Sequence, residues 1–137
     1  MRNPDFVIGR PGDAYLERWY VVPRNRWFNV YMHHFLRSDD DRALHDHPWW
    51  SLGFILKGSY IEVTHRGQRR VGRFRPTFRR ATHAHRVELI NRQPVWTLFI
   101  TGPKLRDWGF HCPQGWVHWE DFCAPTEHGN AVGRGCE

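Results

Sequence analysis

The stretch that decides the fold reads ALHDHPWWSLGFILKG, residues 43–58. His45 and His47 stand two positions apart in it. Alternate side chains of an extended strand leave the same face, so both imidazoles point one way and can chelate one ion. The run that follows, residues 49–56, is apolar on both parities, as a strand covered on two faces should be. A second segment, ATHAHRVEL at residues 81–89, supplies a third histidine. His85 shares the parity of Val87 and Leu89, the inward set, and His83 shares it too if the strand extends that far back. Three neutral imidazoles inside a barrel suit Fe, Ni, Cu, Zn or Mn and leave coordination positions open for water or substrate.

The rest of the chain supports an all-β reading. Residues 27–36 alternate, with Phe28, Val30, Met32, His34 and Leu36 on one face and Asn29, Tyr31 and His33 on the other. Residues 95–100 are apolar on both parities, so either Trp96, Leu98 and Ile100 or Val95, Thr97 and Phe99 form the wall opposite the histidines. Turns fall at residues 66–68, 91–94, 102–103 and 112–115, and Pro23, Pro48 and Pro76 suit loop entries or strand edges. Short strands with Gly/Pro turns make a sandwich or barrel. Residues 1–124 are read as one barrel with N-terminal strands. Residues 125–137, polar and Gly-rich, are read as a flexible tail.

Composition narrows the class. The 137 residues carry 40% hydrophobic and 15% aromatic side chains, eight of them Trp, which excludes a disordered chain. No apolar run reaches the roughly twenty residues a membrane helix needs, and the N-terminus resembles no signal peptide. The expectation is a cytoplasmic domain whose three cysteines, an odd number without a Cys-x-x-Cys pair, stay reduced. Net charge is +6. Seven arginines and no acid lie between Arg66 and Arg80, and the remaining 13 basic and 14 acidic side chains nearly cancel. This segment is read first as a solvated hairpin face. Attraction of an anionic small molecule is its second use, and nucleic acid, gripped through arginine and the interleaved Phe74 and Phe78, its third. Nucleic acid is not the expected partner. No nucleophile elbow, phosphate loop, dinucleotide fingerprint or His-Glu-x-x-His helix is present.

Residues 45–58 resemble the first motif of the cupin superfamily, Gly-x5-His-x-His-x3-4-Glu-x6-Gly. His45 and His47 match its histidines and Gly58 its last glycine, while Ser51 stands at the glutamate position. The second motif is matched more loosely. His85 takes its histidine, Arg80 and Thr82 stand at its Pro and Gly positions, and Glu88 falls one residue short of its asparagine. The resemblance implies a double-stranded β-helix, a jelly-roll barrel, with His45, His47 and His85 as metal ligands, His83 as a candidate fourth, and a homodimer paired through sheet edges. It also covers small bacterial and phage cupin-like proteins of unassigned activity.

Serine in place of the carboxylate leaves a divalent ion its full charge, which should draw an anionic or chelating small molecule. Three-histidine sites of this kind resemble those of the thiol dioxygenases, so iron is the favoured metal and dioxygenation the favoured reaction if the protein is catalytic. A ligand sensor or sugar-binding module is the alternative. Trp49 and Ser51, which share the parity of His47, are candidate substrate contacts together with Arg42 and His34. Trp108, Trp116 and Trp119 are expected to pack the barrel's end or an interface, and Asp39, Asp40 and Asp41 to be solvated. No general acid or base stands out.

Overall fold

A computed structural model describes residues 2–38 and 43–137. Its strands are β1 (Phe6–Arg10), β2 (Asp13–Tyr20), β3 (Asn29–Phe35), β4 (Leu44–His45), β5 (Ser51–Lys57), β6 (Tyr60–Thr64), β7 (Gly67–Val71), β8 (Thr77–Arg79), β9 (Arg86–Leu89), β10 (Val95–Thr101), β11 (Gly109–Cys112), β12 (Gly115–His118), β13 (Cys123–Thr126) and β14 (Gly129–Val132). A single helical turn, α1 (Trp119–Phe122), precedes β13.

Eight strands form one sheet in the order β13-β14-β1-β2-β3-β10-β5-β8. Facing it are two three-stranded sheets, β12-β11-β4 and β7-β6-β9, joined by an antiparallel bridge between His45 and His85. Tyr15, Leu16, Phe35, Ile55, Tyr60, Val71, Val87 and Val95 pack as one buried cluster drawn from both layers. Long-range burial of this kind carries the fold, since no helix of useful length contributes. Gly58, the last residue of the first motif, turns the chain from β5 into β6 at φ +91°, where a side chain would be strained.

Two expectations are corrected here. Residues 125–137 are not a loose tail: β14 pairs with β13 and runs parallel to β1. The polar, Gly-rich composition hid this because β14 adds backbone hydrogen bonds more than apolar burial. Gly129 is required there, since a Cβ would meet Val7 O at 1.8 Å. Nor are all thiols reduced, for Cys112 and Cys136 form a disulfide across 24 residues. Sequence spacing alone could not show it, because the approach of the two thiols depends on the chain end folding back beside β11.

Candidate metal centre

β4 is only two residues long, yet it sets the site. His45 N donates to His85 O at 2.9 Å and His85 N to His45 O at 3.0 Å. Residues directly opposite in such a bridge project to the same side. His47 follows, its N–H held by Ala81 O at 3.0 Å. The three ring centroids stand 5.0 to 5.2 Å apart, and one ligand atom from each ring lies within 4.8 Å of the others. His45, His47 and His85 therefore converge on one point.

Behind the trio lies a residue that sequence reading passed over. Glu62, on β6, is fully buried. Its Oε2 faces His85 Nδ1 at 2.6 Å and accepts a hydrogen bond from Arg79 Nε. Its Oε1 accepts from Arg69 Nε at 2.7 Å, and Arg69 Nη2 lies at 2.7 Å as well. Arg79 continues to the Tyr60 hydroxyl at 3.0 Å. Burial alone would raise the Glu62 carboxyl. The nearby His83 and the hydrogen-bonded His85, with the Arg79 charge, hold it instead far below the usual carboxylate range. The acid-free arginine run was the available signal: buried arginines need a carboxylate, and Glu62 is the nearest acid before them.

Burial likewise decides the histidines. It pulls His85 down to about 4 despite the Glu62 hydrogen bond. Burial first, then repulsion from neighbouring imidazoles and Arg79, holds His45 and His47 well below the ordinary histidine value. All three are thus neutral, the form that binds a metal. Glu62 occupies His85 Nδ1 and leaves Nε2 for an ion, the usual division of labour between a carboxylate and a ligating imidazole. His47 Nδ1 is buried with no hydrogen-bond partner among the described residues. A metal would satisfy such a nitrogen, and the donor set fits a divalent transition ion.

The other expected site residues divide. Trp49 lines the cavity beside the trio, its ring stacked on His47 at 5.2 Å. Ser51 does not line it. The side chain is 1% exposed and its Oγ has no partner among the described residues. His83 stands with Glu62 and His85 rather than with His45 and His47, its Nε2 3.4 Å from Glu62 Oε2. His34 is a correction, because β3 is turned the other way. Asn29, Tyr31, His33 and Phe35 face inward, while His34 stacks on Trp96 at 3.9 Å and meets Glu17 at 3.2 Å. The outer face of β3 is itself apolar, with Trp96 the cross-strand neighbour of His34, so apolar character did not mark the inward side. Arg42 and the acidic residues Asp39, Asp40 and Asp41 lie outside the described residues. On β10, Thr97 and Phe99 form the far wall. Trp108 and Trp119, stacked on each other at 6.0 Å, also line the cavity.

The cavity between the layers has a volume of about 430 Å³. Arg18, Arg24, Arg75 and Arg79 line it, and no described lining residue is acidic. The arginine run does not act as one face. Arg79 is buried on Glu62, Arg75 reaches the cavity, Arg70 binds Ser59 and Arg73 binds Leu56 O.

No family model matches the sequence, and no curated protein is similar to it. Solved structures are similar. DMSP lyase DddQ from Ruegeria pomeroyi matches at 17% identity and TM-score 0.57 over 74% of this chain, which spans about half (54%) of the DddQ chain. A double-stranded β-helix protein from Klebsiella pneumoniae matches at 13% identity and TM-score 0.59, over 74% of this chain and 89% of its own. A cupin domain from Bordetella pertussis matches at 14% and 0.51, over 74% and 97%. At such identities the likeness establishes the architecture. By fold, the chain is a double-stranded β-helix, a jelly-roll barrel of the kind seen in these structures, with three histidines converging inside it.

Proposed function

We propose that the protein is a metal-dependent cupin in which His45, His47 and His85 hold one divalent transition ion and a small anionic organic molecule occupies the adjoining cavity. The observation that carries the reading is the convergence of three imidazoles inside the barrel on one point, His45 half-buried and His47 and His85 buried, with Glu62 fixing the ring of His85. Iron is the favoured ion, with Ni, Mn, Zn and Cu as alternatives. A ferrous ion in a three-histidine set with open positions supplies chemistry with dioxygen, so oxygen-dependent oxidation of the bound molecule is the reaction this reading favours.

The chain's own residues do the rest. Glu62 and Arg79 neutralise each other behind the site, so the ion's charge remains for the substrate. Trp49, Phe99 and Trp108 exclude water around it. His83, whose Nε2 lies 3.4 Å from Glu62 Oε2, stays outside the ligand set. The homodimer implied by the resemblance belongs to this reading, and sedimentation of the purified protein checks it. The cytoplasmic expectation belongs to it as well, although the Cys112–Cys136 bridge favours an oxidising compartment.

The test is elemental mass spectrometry of protein purified without a histidine tag or added metal, beside His47→Ala. Near-stoichiometric metal that disappears in the variant supports the site and names the ion. Oxygen uptake across a panel of small organic acids then tests the reaction. Metal held without oxygen uptake moves the reading to ligand binding. No metal in either protein, even after reconstitution, removes it.

A further inference from the structure

The cavity holds arginines in two contrasting environments. Arg79 and Arg69 are spoken for by Glu62. Arg18, on β2, has no such partner. Its Nε donates to His33 Nε2 at 2.9 Å, and its guanidinium carbon lies 4.5 Å from the Tyr31 ring centroid and 5.6 Å from that of Phe6. These contacts fix the plane of the group. They leave both terminal nitrogens without a hydrogen-bond partner among the described residues, and no described carboxylate forms an ion pair with it. The charged side chain that acts on it most strongly is another cation, Arg24. Burial with no acid to answer it holds the Arg18 guanidinium below its ordinary value. An immobilised, half-buried guanidinium without a counterion is costly unless something that binds there supplies one.

The position of Arg18 gives the seat a direction. A continuous series of rings leads to it from the histidine trio: His47 to Trp49 at 5.2 Å, Trp49 to Phe99 at 5.6 Å, and Phe99 to His33 at 5.0 Å. Trp49, Phe99, His33 and Arg18 all line the cavity. One end of the space is thus built from imidazoles, the middle from aromatic faces, and the far end from a guanidinium whose two terminal nitrogens have no partner among the described residues. A planar guanidinium fork pairs bidentately with a carboxylate.

We propose that Arg18 is a second binding point of the cavity, a carboxylate seat for a two-ended substrate whose apolar body lies along Trp49 and Phe99 and whose other end reaches the histidine trio. The seat rests on the reading of this cavity as the substrate site, and it moves the substrate's negative charge away from the metal. His33 is a positioning residue: by accepting from Nε it orients the fork toward the cavity.

Calorimetric titration of the purified protein with phenylacetate and with its uncharged isostere phenylacetamide tests the seat. Wild type should prefer phenylacetate by about tenfold or more, the factor that about 1.4 kcal/mol of charge-assisted hydrogen bonding gives. Arg18→Gln should bring the two ligands within about twofold while retaining wild-type metal content, and Arg18→Lys should restore part of the preference. No binding of phenylacetate to wild type, or a preference that survives in Arg18→Gln, overturns the seat. A preference lost on metal removal but kept in Arg18→Gln places the anion at the metal, which overturns the seat and leaves the metal reading standing. An Arg18-dependent preference in a protein that takes up no metal does the reverse. Should Arg18→Gln not fold, a crystal of wild type with 4-bromophenylacetate decides the matter. Carboxylate oxygens against the terminal nitrogens of Arg18 support the seat, and a carboxylate bound elsewhere overturns it.

Discussion

Glu62 Oε2 lies 2.6 Å from His85 Nδ1, inside the barrel and out of reach of solvent. This contact links the two halves of the site. It fixes which nitrogen of His85 can face an ion, and the same carboxylate neutralises Arg79, whose charge would otherwise repel one. The carboxylate that the first cupin motif places one strand earlier is thus absent as a ligand. A different carboxylate stands behind the ligands instead.

Glu62→Gln preserves the shape and removes the charge. It leaves Arg79 buried without a counterion and weakens the hold on His85. Loss of one partner from a buried ion pair costs about 3 to 5 kcal/mol, and loss of the carboxylate behind a ligating imidazole costs roughly 10- to 100-fold in metal affinity. Urea denaturation of the metal-free variant and competitive metal titration read the two effects separately. Metal affinity within twofold of wild type would show that Glu62 is a structural group only.

Ser51 makes the opposite case. It occupies the motif's glutamate position, but its hydroxyl is buried, unpartnered among the described residues and away from the cavity. Removing an unsatisfied buried hydroxyl costs little or is favourable. Ser51→Ala should therefore change stability by less than about 1 kcal/mol and leave metal content as it was. A loss of bound metal would return Ser51 to the site.

What the sequence made legible follows from local geometry. His45 and His47 share a face because strands alternate, and His85 could be placed by the parity of Val87 and Leu89. Gly58 marked its turn through spacing. What it concealed depends on partners distant in the chain. His33 and His34 differ in position by one residue, and the apolar residues Val30 and Met32 beside His34 suggested an inward face. Trp96, more than sixty residues away, is instead the cross-strand neighbour of His34 on the outer face. Glu62 is an ordinary strand residue until Arg79, His85 and Arg69 close around it. Strand β14 has almost no hydrophobic signature, so its pairing with β1 and β13 defines it.

The inward histidines make stability depend on pH in a definite sense. His33 is buried beside Arg18, and burial first, then that cation, holds it well below the ordinary value of 6.5. His45, His47 and His85 are lowered too, His85 to about 4. A folded value below the unfolded one means that the unfolded chain takes up protons first as pH falls. Stability is therefore complete above about pH 6.5 and declines toward pH 4, each such histidine contributing up to about 1.4 kcal/mol per pH unit. Glu62, whose value is also lowered, adds loss of the same sign below its unfolded value of 4.5. Urea midpoints of metal-free protein between pH 8 and 4 should fall in that window, and His33→Gln should flatten part of the slope. A midpoint independent of pH from 7 to 5 would contradict the burial of these rings.

The Cys112–Cys136 bridge ties the chain end to β11, whose neighbour across the sheet is the His45 strand. Closing a loop of 24 residues restricts the unfolded chain and is worth about 3 kcal/mol on an entropic account. Phe122, which accepts backbone hydrogen bonds from Gly133 and Gly135, and Phe110, stacked on it at 3.6 Å, pass that restraint toward His45. Reduction, or Cys136→Ser, should lower the urea-derived stability by about that amount and leave the remaining sheet intact by far-ultraviolet circular dichroism. Metal content should persist in folded, reduced protein, because none of the three ligands is on the tethered segment. Metal loss on reduction at temperatures where the protein remains folded would show instead that the bridge positions β4. The Cys112–Cys136 pair would then be a redox control on the site rather than a staple of the chain end.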